Sequence, residues 1–521
     1  MENQSPEKKV MISNKIPEFV PLKKPKRNKY AFACSLLASM TSVLLGYDTG
    51  VMSGAVIYIK EDLKISDVAI EVLVGTINIY SLVGAAIAGR TSDWIGRRKT
   101  IILASGIFLV GALLMGFAPN YWFLMFGRFV AGIGVGYALM IAPVYTAEVA
   151  PASCRGFCTS FPEVFINAGV LLGYIANYAF SMLPLKLGWR LMLGIGVIPS
   201  VMLGVGVLAM PESPRWLVMQ GRLGDAKKVL DRTSDTLEES KTRLADIKEA
   251  AGIPQDCQDH DIVSVTRESS DGSGVWRDLF IHPTPTVLHI LIVGIGIHFF
   301  QQASGIDAVV LYSPRIYEKA GITKPSYRLL ATIAVGCMKT FFTLVATFFV
   351  DKIGRRILLL SSCGGMILSL LALATGLTII DHSDHTLKWA IVVCVCATYS
   401  TVAFFSIGMG PLAWVYSSEI FPLRLRAQGC SIGVAVNRAV SGGVLMTFIS
   451  LYKAISIGGA FFLYTGIAIV AWIFFYTLLP ETKGRTLEEM EPLFGTFFKW
   501  RSTIKELKRS RVEGADSSAQ P

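Results

Sequence analysis

Long apolar runs recur along the chain, separated by polar segments. Six runs lie at about 30–52, 71–88, 100–118, 121–142, 157–182 and 189–210. Six more lie at about 286–312, 328–350, 357–380, 388–416, 428–451 and 457–479. A helix needs about 20 mostly apolar residues to cross a bilayer, and these runs have about that length. The pattern therefore predicts an all-α membrane protein with twelve transmembrane helices.

Polar segments flank and divide the two groups of six runs. Residues 1–29 form a basic tail, residues 480–521 a polar tail, and residues 211–285 a long charged segment whose apolar residues recur at helical spacing. We therefore expect an N-terminal six-helix bundle at 30–210 and a second bundle at 286–479. A cytosolic linker with short helices at 211–285 joins them.

Composition and charge support a membrane protein and orient it. The chain is 52% hydrophobic and 17% charged, which is too apolar for a soluble protein of 521 residues. A net charge of +11 could indicate a nucleic-acid partner. However, most of the 49 Lys and Arg residues lie in the tails, the linker and the turns on the same side of the helices. Cytosolic segments are enriched in Lys and Arg, so we predict cytosolic termini, a lipid bilayer as surroundings and no nucleic-acid partner.

The chain also repeats itself across its two halves. Three motifs of the first half return in the same order in the second: Asp93–Arg98 as Asp351–Arg356, Val144–Pro151 as Val415–Pro422, and Pro211–Ser213 as Pro480–Thr482. Matching motifs in matching order indicate duplicated six-helix bundles, and parallel repeats of this kind bind their substrate between the halves.

Acidic and basic residues recur in the repeated cytosolic motifs. The first half contains Asp93, Arg97, Glu148, Arg155 and Glu212, and the second half contains Asp351, Arg355, Glu419, Arg426 and Glu481. One interpretation is plain positive-inside anchoring. The repeated carboxylates favour a second interpretation, because anchoring needs no acids. In this interpretation the charge pairs form a cytosolic gate that holds the inner face shut and parts as the halves rock.

The segment 299–312 places polar side chains inside an apolar run. Gln301, Gln302 and Asp307 stand there with a Ser304–Gly305 step that can loosen the helix. Lipid offers these groups no hydrogen bonds, so they must face protein or water. Contacts between helices are one explanation. Two neutral amides that both donate and accept also suit a ligand made of hydroxyl groups, and we favour a binding site.

Asp48 and Arg128 are both expected in the outer half of the membrane. An unpaired charge there would be costly, so the two side chains should pair. The pair could be static. A lone Asp near a substrate path is also a natural proton site, and a conformational change that separates it from Arg128 would switch its protonation.

Several motifs together resemble the sugar-porter family of the major facilitator superfamily. They are Gly46–Gly54, Gly89–Arg98, Pro211–Leu217, Gln301–Ile306, Gly410–Trp414 and Pro480–Arg485. The resemblance covers about residues 30–490, and Phe299–Pro314 is similar to the signature of the plant polyol/monosaccharide transporters. It implies the major facilitator fold, and it implies a proton-coupled symporter of broad polyol and sugar specificity in the plasma membrane, with the vacuolar membrane as the alternative.

The resemblance also implies roles for individual residues. Sugar hydroxyls would meet Gln301 and Gln302, with Trp414 as an aromatic face and Asn437 as a further amide. Proton-coupled sugar porters carry an acid at the position of Asp48, and passive relatives usually do not. We therefore predict Asp48 as the proton acceptor and Arg128 as its regulator.

Four positions depart from the common pattern of the family. Asp307 and Glu163 stand where many sugar porters have amides, Lys339 also replaces an amide, and Arg438 replaces an aromatic residue. The pocket thus gains two acids and two bases. The acids could recognise polyols or serve as second proton sites, and internal ion pairing is the alternative, favoured for Arg438.

The sequence thus predicts a proton symporter that imports linear polyols and monosaccharides. A passive uniporter is one alternative, which Asp48 argues against. A non-transporting sugar sensor is another, but the C-terminal tail is short for a signalling extension. The chain has no metal-ligand cluster, nucleotide loop or nucleophile constellation in its sequence, so we expect no enzyme activity, no metal and no cofactor.

Overall fold

A computed structural model describes residues 28–150, 158, 160–251, 253–254, 283–383, 385, 387–421, 425–482 and 494. Arg155 and most of both tails lie outside these residues, as do the side chains of Asp351 and Arg426. The predictions made for them are therefore not described further.

The described residues fold into helices. In the first half these are α1 (Lys29–Ser39), α2 (Val43–Leu63), α3 (Asp67–Ile95), α4 (Arg97–Gly116), α5 (Tyr121–Val149), α6 (Phe161–Phe180), α7 (Leu185–Gly194) and α8 (Val197–Leu208). The linker contains α9 (Pro214–Met219), α10 (Leu223–Thr233) and α11 (Leu237–Ala250). The second half contains α12 (Pro285–Ala303), α13 (Ile306–Leu311), α14 (Ser313–Lys319), α15 (Pro325–Ile353), α16 (Arg355–Asp381), α17 (Lys388–Ile407), α18 (Met409–Ile420), α19 (Arg426–Ile455) and α20 (Ile457–Leu478).

Twelve spans in the described chain are long and apolar enough to cross a membrane, which confirms the predicted all-α membrane protein. The first span runs from Lys29 to Leu63, well beyond the predicted end near residue 52. Its last turns are charged. They stay helical because Lys60 pairs with Asp67 at 2.6 Å and Asp62 with Arg190 at 3.0 Å.

Small residues let helices of the same half approach closely. A Cβ at Gly46 of α2 would lie 1.9 Å from the Ile166 carbonyl oxygen of α6, and a Cβ at Gly173 would lie 2.5 Å from the Val51 nitrogen. Membrane helices associate without a hydrophobic driving force, so close backbone packing of this kind contributes much of their attraction. Between the halves, α3 packs against α19 and α6 against α15.

Two spans of the second half are interrupted at glycine. Gly305, with φ +80°, separates α12 from α13, and Gly408 separates α17 from α18. A left-handed φ is a conformation that glycine adopts at little cost. The Ser304–Gly305 step therefore breaks its helix beside the polar segment, as the sequence led us to expect.

The linker helices pack against one end of the bundle, which we call the linker face; the opposite end is the far face. The α9–α11 helices share a small apolar core that includes Leu217, Leu223 and Leu230. The indole nitrogen of Trp216 donates to the Asp93 carbonyl at 3.0 Å, which ties α9 to the C-terminal end of α3.

Candidate functional site

A cavity of about 70 Å³ lies between the halves. Its polar lining comes from both of them: Thr49, Asn78, Arg128 and Glu163 from the first, and Gln301, Gln302, Asp307, Lys339, Trp414 and Arg438 from the second. Pockets that enclose a ligand usually measure about 300–1,000 Å³. The halves must therefore move apart for this cavity to hold a molecule as large as a sugar.

Asp48 and Arg128 form a buried ion pair at the edge of this cavity. Each side chain is only 1% exposed, and Nη1 of Arg128 lies 2.7 Å from both carboxylate oxygens of Asp48. Arg128 also donates from Nε to the Leu73 carbonyl at 2.9 Å. The sequence prediction that the two residues pair is therefore matched by the geometry, and Arg128 connects the pair to the cavity wall.

Gln301 and Gln302 have different hydrogen-bond partners. The amide nitrogen of Gln301 donates to the carbonyls of Met409 and Gly410 at 3.2 and 2.8 Å, and its oxygen accepts from Asn437 at 2.6 Å. Gln302 donates to the Asn437 oxygen at 3.3 Å, while its own buried oxygen has no partner in the described part of the chain. Gln301 therefore links α12 to the start of α18, whereas Gln302 has a buried acceptor that the described residues do not use.

The acids and bases predicted for the pocket do line one cavity. Asp307 accepts a hydrogen bond from the Ser441 hydroxyl on α19. Lys339 and Arg438 interact electrostatically with Glu163, and Arg438 also with Asp307. Because Glu163 belongs to the first half and the other three to the second, the charges compensate one another across the boundary between the halves.

Trp414 contributes the aromatic wall implied by the sequence. Its ring lines the cavity and meets the His298 ring edge to face at a centroid distance of 5.0 Å. His298 in turn lies 3.2 Å from the Ser417 hydroxyl. His298 of α12 thus contacts the Trp414 ring and is itself positioned by Ser417 of α18.

Arg438 has a more specific position than the sequence indicated. Its Nε and Nη2 donate to the Asn437 side-chain oxygen at 3.1 and 2.7 Å, and its Nη1 donates to the Asn78 oxygen at 3.3 Å. Asn78 lies on α3, so this bond crosses between the halves. Asn78 and Ser441 were not singled out from the sequence, although an amide within the run 71–88 carries the same signal as Gln301.

On the linker face of the first half, the predicted gate residues form one cluster. Arg97 contacts Glu148 at 3.1 Å and Asp93 at 2.9 Å, while Glu212 accepts from the backbone nitrogens of Arg97 and Arg98 at 2.8 and 3.1 Å. A carboxylate at a helix N-terminus satisfies donors that have no partner inside the helix. Glu212 thus caps α4.

The second half repeats this cluster. Arg355 contacts Glu419 at 2.9 Å, and Glu481 accepts from the backbone nitrogens of Arg355 and Arg356 at 2.9 and 3.1 Å. The pairs described here join helices of the same half. Their role as a gate stays a prediction.

A family model described as sugar (and other) transporter matches residues 34–494. Polyol transporter 5 of Arabidopsis thaliana is 67% identical over 489 residues, which cover 94% of this chain and 90% of the relative. The glucose transporter GlcP of Staphylococcus epidermidis is 35% identical over 466 residues, which cover 89% of this chain and 97% of the relative.

Solved structures have the same fold. The proton:xylose symporter XylE bound to 6-bromo-6-deoxy-D-glucose matches with a TM-score of 0.73 and 27% identity, over 90% of this chain and 100% of that chain. A partially occluded inward-open conformation of XylE from E. coli matches with a TM-score of 0.72 and 27% identity, over 88% and 99%. The fold predicted from the sequence is confirmed.

Proposed function

Because the chain belongs to the family of sugar (and other) transporters, we propose that it is a proton-coupled symporter that imports linear polyols and monosaccharides by alternating access. Polyol transporter 5 and the proton:xylose symporter XylE, by their names, support the two parts of this proposal. The family and these relatives are transporters, in agreement with the prediction that the chain is not an enzyme.

The observation that carries the proposal is the Asp48–Arg128 pair beside a cavity shared by both halves. A buried ion pair is held by the contact between its partners, and breaking it leaves an uncompensated charge. A rocking motion that moves Arg128 away from Asp48 would favour the uptake of a proton there. Since Arg128 also lines the cavity, the same motion links the protonation of Asp48 to the space available for a substrate.

Substrate hydroxyls would enter the network of Gln302, Asn437 and Arg438. These groups present both donors and acceptors, which a hydroxyl needs because it is both. Trp414 would pack against the carbon chain. A molecule between the halves would replace the Arg438–Asn78 bond, so binding and the relative position of the halves would be coupled.

The chain is a multi-pass membrane protein. We place it in the plasma membrane with both termini and the linker face in the cytosol, on the basis of the distribution of Lys and Arg and of the polyol transporters that it resembles. The far face then faces the exterior.

Uptake of labelled sorbitol and glucose into transport-deficient yeast, with and without a protonophore, tests the function. We expect accumulation above the external concentration that the protonophore abolishes. A passive uniporter would bring the internal substrate concentration only to the external one, and the protonophore would not change this uptake. Absence of uptake from a panel of polyols and sugars, in cells with the protein at the surface, would favour the sensor.

A further inference from the structure

Asp67 joins the two halves at the far face. It begins α3 in the first half and accepts from Lys60 of the same half at 2.6 Å. From the second half it is approached by Arg315 of α14 at 3.5 Å and by Lys453 in the last turn of α19. One carboxylate thus meets three cations, two of which belong to the other half.

Glu71 adds a second contact between the halves, one helical turn further along α3. Its side chain is only 1% exposed. It accepts from the backbone nitrogen and the hydroxyl of Ser450 on α19 at 2.7 and 2.5 Å. A buried carboxylate is costly unless it is hydrogen-bonded, so Ser450 stabilises Glu71 only while α3 and α19 stay together.

These contacts lie on the same elements as the cavity. The α19 helix carries Asn437 and Arg438 in its middle and Ser450 and Lys453 near its far end. Arg315 follows the interrupted span that carries Gln301, Gln302 and Asp307. A movement of α19 or α14 away from α3 would therefore open the far face and widen the cavity together.

We propose that Asp67 and Glu71 form a far-face gate that closes the substrate path by binding Arg315, Ser450 and Lys453 across the halves. The role of this gate rests on the proposed function, because a gate is needed only if the chain transports a substrate. The far-face contacts cross between the halves, so they hold the far face together in this conformation. Opening the path requires these ion pairs to part.

Labelling of a cysteine in the cavity by a membrane-impermeant thiol reagent, added outside intact cells, tests the gate. The residue Thr49 on α2 lines the cavity and provides the position, as Thr49→Cys. The same chain without this substitution gives the background from the native cysteines. We expect Asp67→Asn and Lys453→Gln each to raise the labelling rate about two- to five-fold, as the loss of a partly exposed ion pair allows.

Lys60→Gln is the matched control, because Lys60 binds the same carboxylate but from the same half. It should leave the labelling rate unchanged. The double variant of Asp67 and Lys453 should label no faster than the faster single variant, since Asp67→Asn already removes the contact that Lys453→Gln removes. Ser450→Ala, which removes one of the two bonds to Glu71, should also speed labelling.

Two results would overturn the gate. Lys453→Gln could label at the parent rate, or Lys60→Gln could speed labelling as much as Lys453→Gln does. Labelling does not require transport, so parallel sorbitol uptake keeps the two proposals apart. A chain that moves no sorbitol but shows the expected labelling pattern would retain the gate and refute only the proposed function.

Discussion

Asp48 and Arg128 bind each other with almost no solvent contact, and the Leu73 carbonyl holds the guanidinium in place. Replacement of Asp48 by Asn preserves shape but removes the charge and the proton site. Asp48→Asn should therefore lose accumulation of sorbitol against a gradient while it retains exchange of labelled for unlabelled sorbitol. Both are measured in the same cells or proteoliposomes.

Asp62 provides a control on the same helix. It also binds an arginine, Arg190 at 3.0 Å, but it lies at the far end of α2 and does not line the cavity. Asp62→Asn should keep accumulation. If Asp48→Asn still concentrates sorbitol with the parent pH dependence, Asp48 is not the proton site.

Asp307 and Glu163 replace amides with groups that, when ionised, only accept hydrogen bonds. A linear polyol loses more rotational freedom on binding than a sugar ring, and charge-assisted bonds to its hydroxyls can offset that cost. Asp307→Asn and Glu163→Gln should therefore weaken polyol uptake more than hexose uptake. A lost charge-assisted bond of about 1.5–3 kcal/mol corresponds to about a ten- to hundred-fold weaker apparent affinity.

Ser441→Ala distinguishes the effect of the Asp307 charge from the effect of the hydroxyl that positions this carboxylate. This variant keeps the carboxylate and removes only the Ser441 hydroxyl that Asp307 accepts from. It should weaken polyol uptake less than Asp307→Asn does. Equal losses for polyols and hexoses in the acid variants would assign both acids to coupling or packing.

Sequence was sufficient to find most of the charged and amide residues of the cavity, because a polar side chain inside an apolar run has few explanations. The sequence could not show that Gln301 and Gln302 have different hydrogen-bond partners. The difference depends on the Met409 and Gly410 carbonyls, which lie more than 100 residues away at a helix break. Their distance from Gln301 is a property of the packed halves.

At the scale of elements, the interrupted spans position the site. Each break frees backbone groups that lipid cannot satisfy, and side chains supply the partners. At Gly408 these partners are Gln301, whose amide nitrogen donates to the Met409 carbonyl, and Ser362, whose hydroxyl accepts from the Met409 nitrogen at 3.0 Å. Gln301, which precedes the break at Gly305, thus also fixes the start of the helix that follows the break at Gly408.

Gly305→Ala tests the need for the first break. Gly305 has φ +80°, and a Cβ there would lie 2.7 Å from the Tyr464 ring. A left-handed non-glycine residue costs about 1–2 kcal/mol, and displacement of Tyr464 adds to this. We expect a lower apparent Tm of the purified protein in detergent, together with reduced uptake.

Gly466→Ala is the comparison variant, because it lies within α20 and a Cβ there would meet nothing within 4 Å. It should leave the apparent Tm unchanged or raise it slightly, since Ala is the better helix former. Equal behaviour of the two variants would show that the break does not depend on Gly305.

Periodicity and length located all twelve spans, but the ends of helices were less predictable. The first run appeared to end near residue 52 because polar residues follow, whereas α2 continues to Leu63. Its charged turns are stabilised by Asp67 and Arg190, which come from other helices. Such tertiary partners are invisible to a local hydropathy pattern.

At the scale of the whole molecule, duplication explains the linker face. Glu212 and Glu481 cap α4 and α16 in the same way, and Ser213 and Thr482 donate to Glu148 and Glu419 at 2.5 and 2.8 Å. The repeated motifs predicted these residues correctly as charged clusters. They could not reveal that the described pairs stay within one half, because a repeat contains no information on which copy a side chain contacts.

Glu212→Ala and Glu481→Ala test whether the two clusters act separately. Each variant leaves two backbone nitrogens of a helix N-terminus without their carboxylate, which should cost about 0.5–2 kcal/mol. The losses should be similar, because the two caps are equivalent. Since the clusters belong to different halves, the decreases in apparent Tm should add in the double variant, as expected for distant sites.

Glu238→Ala controls for the loss of an exposed acid on the same face of the molecule. Glu238 lies exposed in the first turn of α11, and its removal should change stability by no more than about 0.5 kcal/mol. A double variant of Glu212 and Glu481 that is no less stable than either single variant would mean that the clusters share one interaction across the halves. Such coupling is what the cytosolic gate requires, whereas additive losses would show that the two clusters do not interact across the halves.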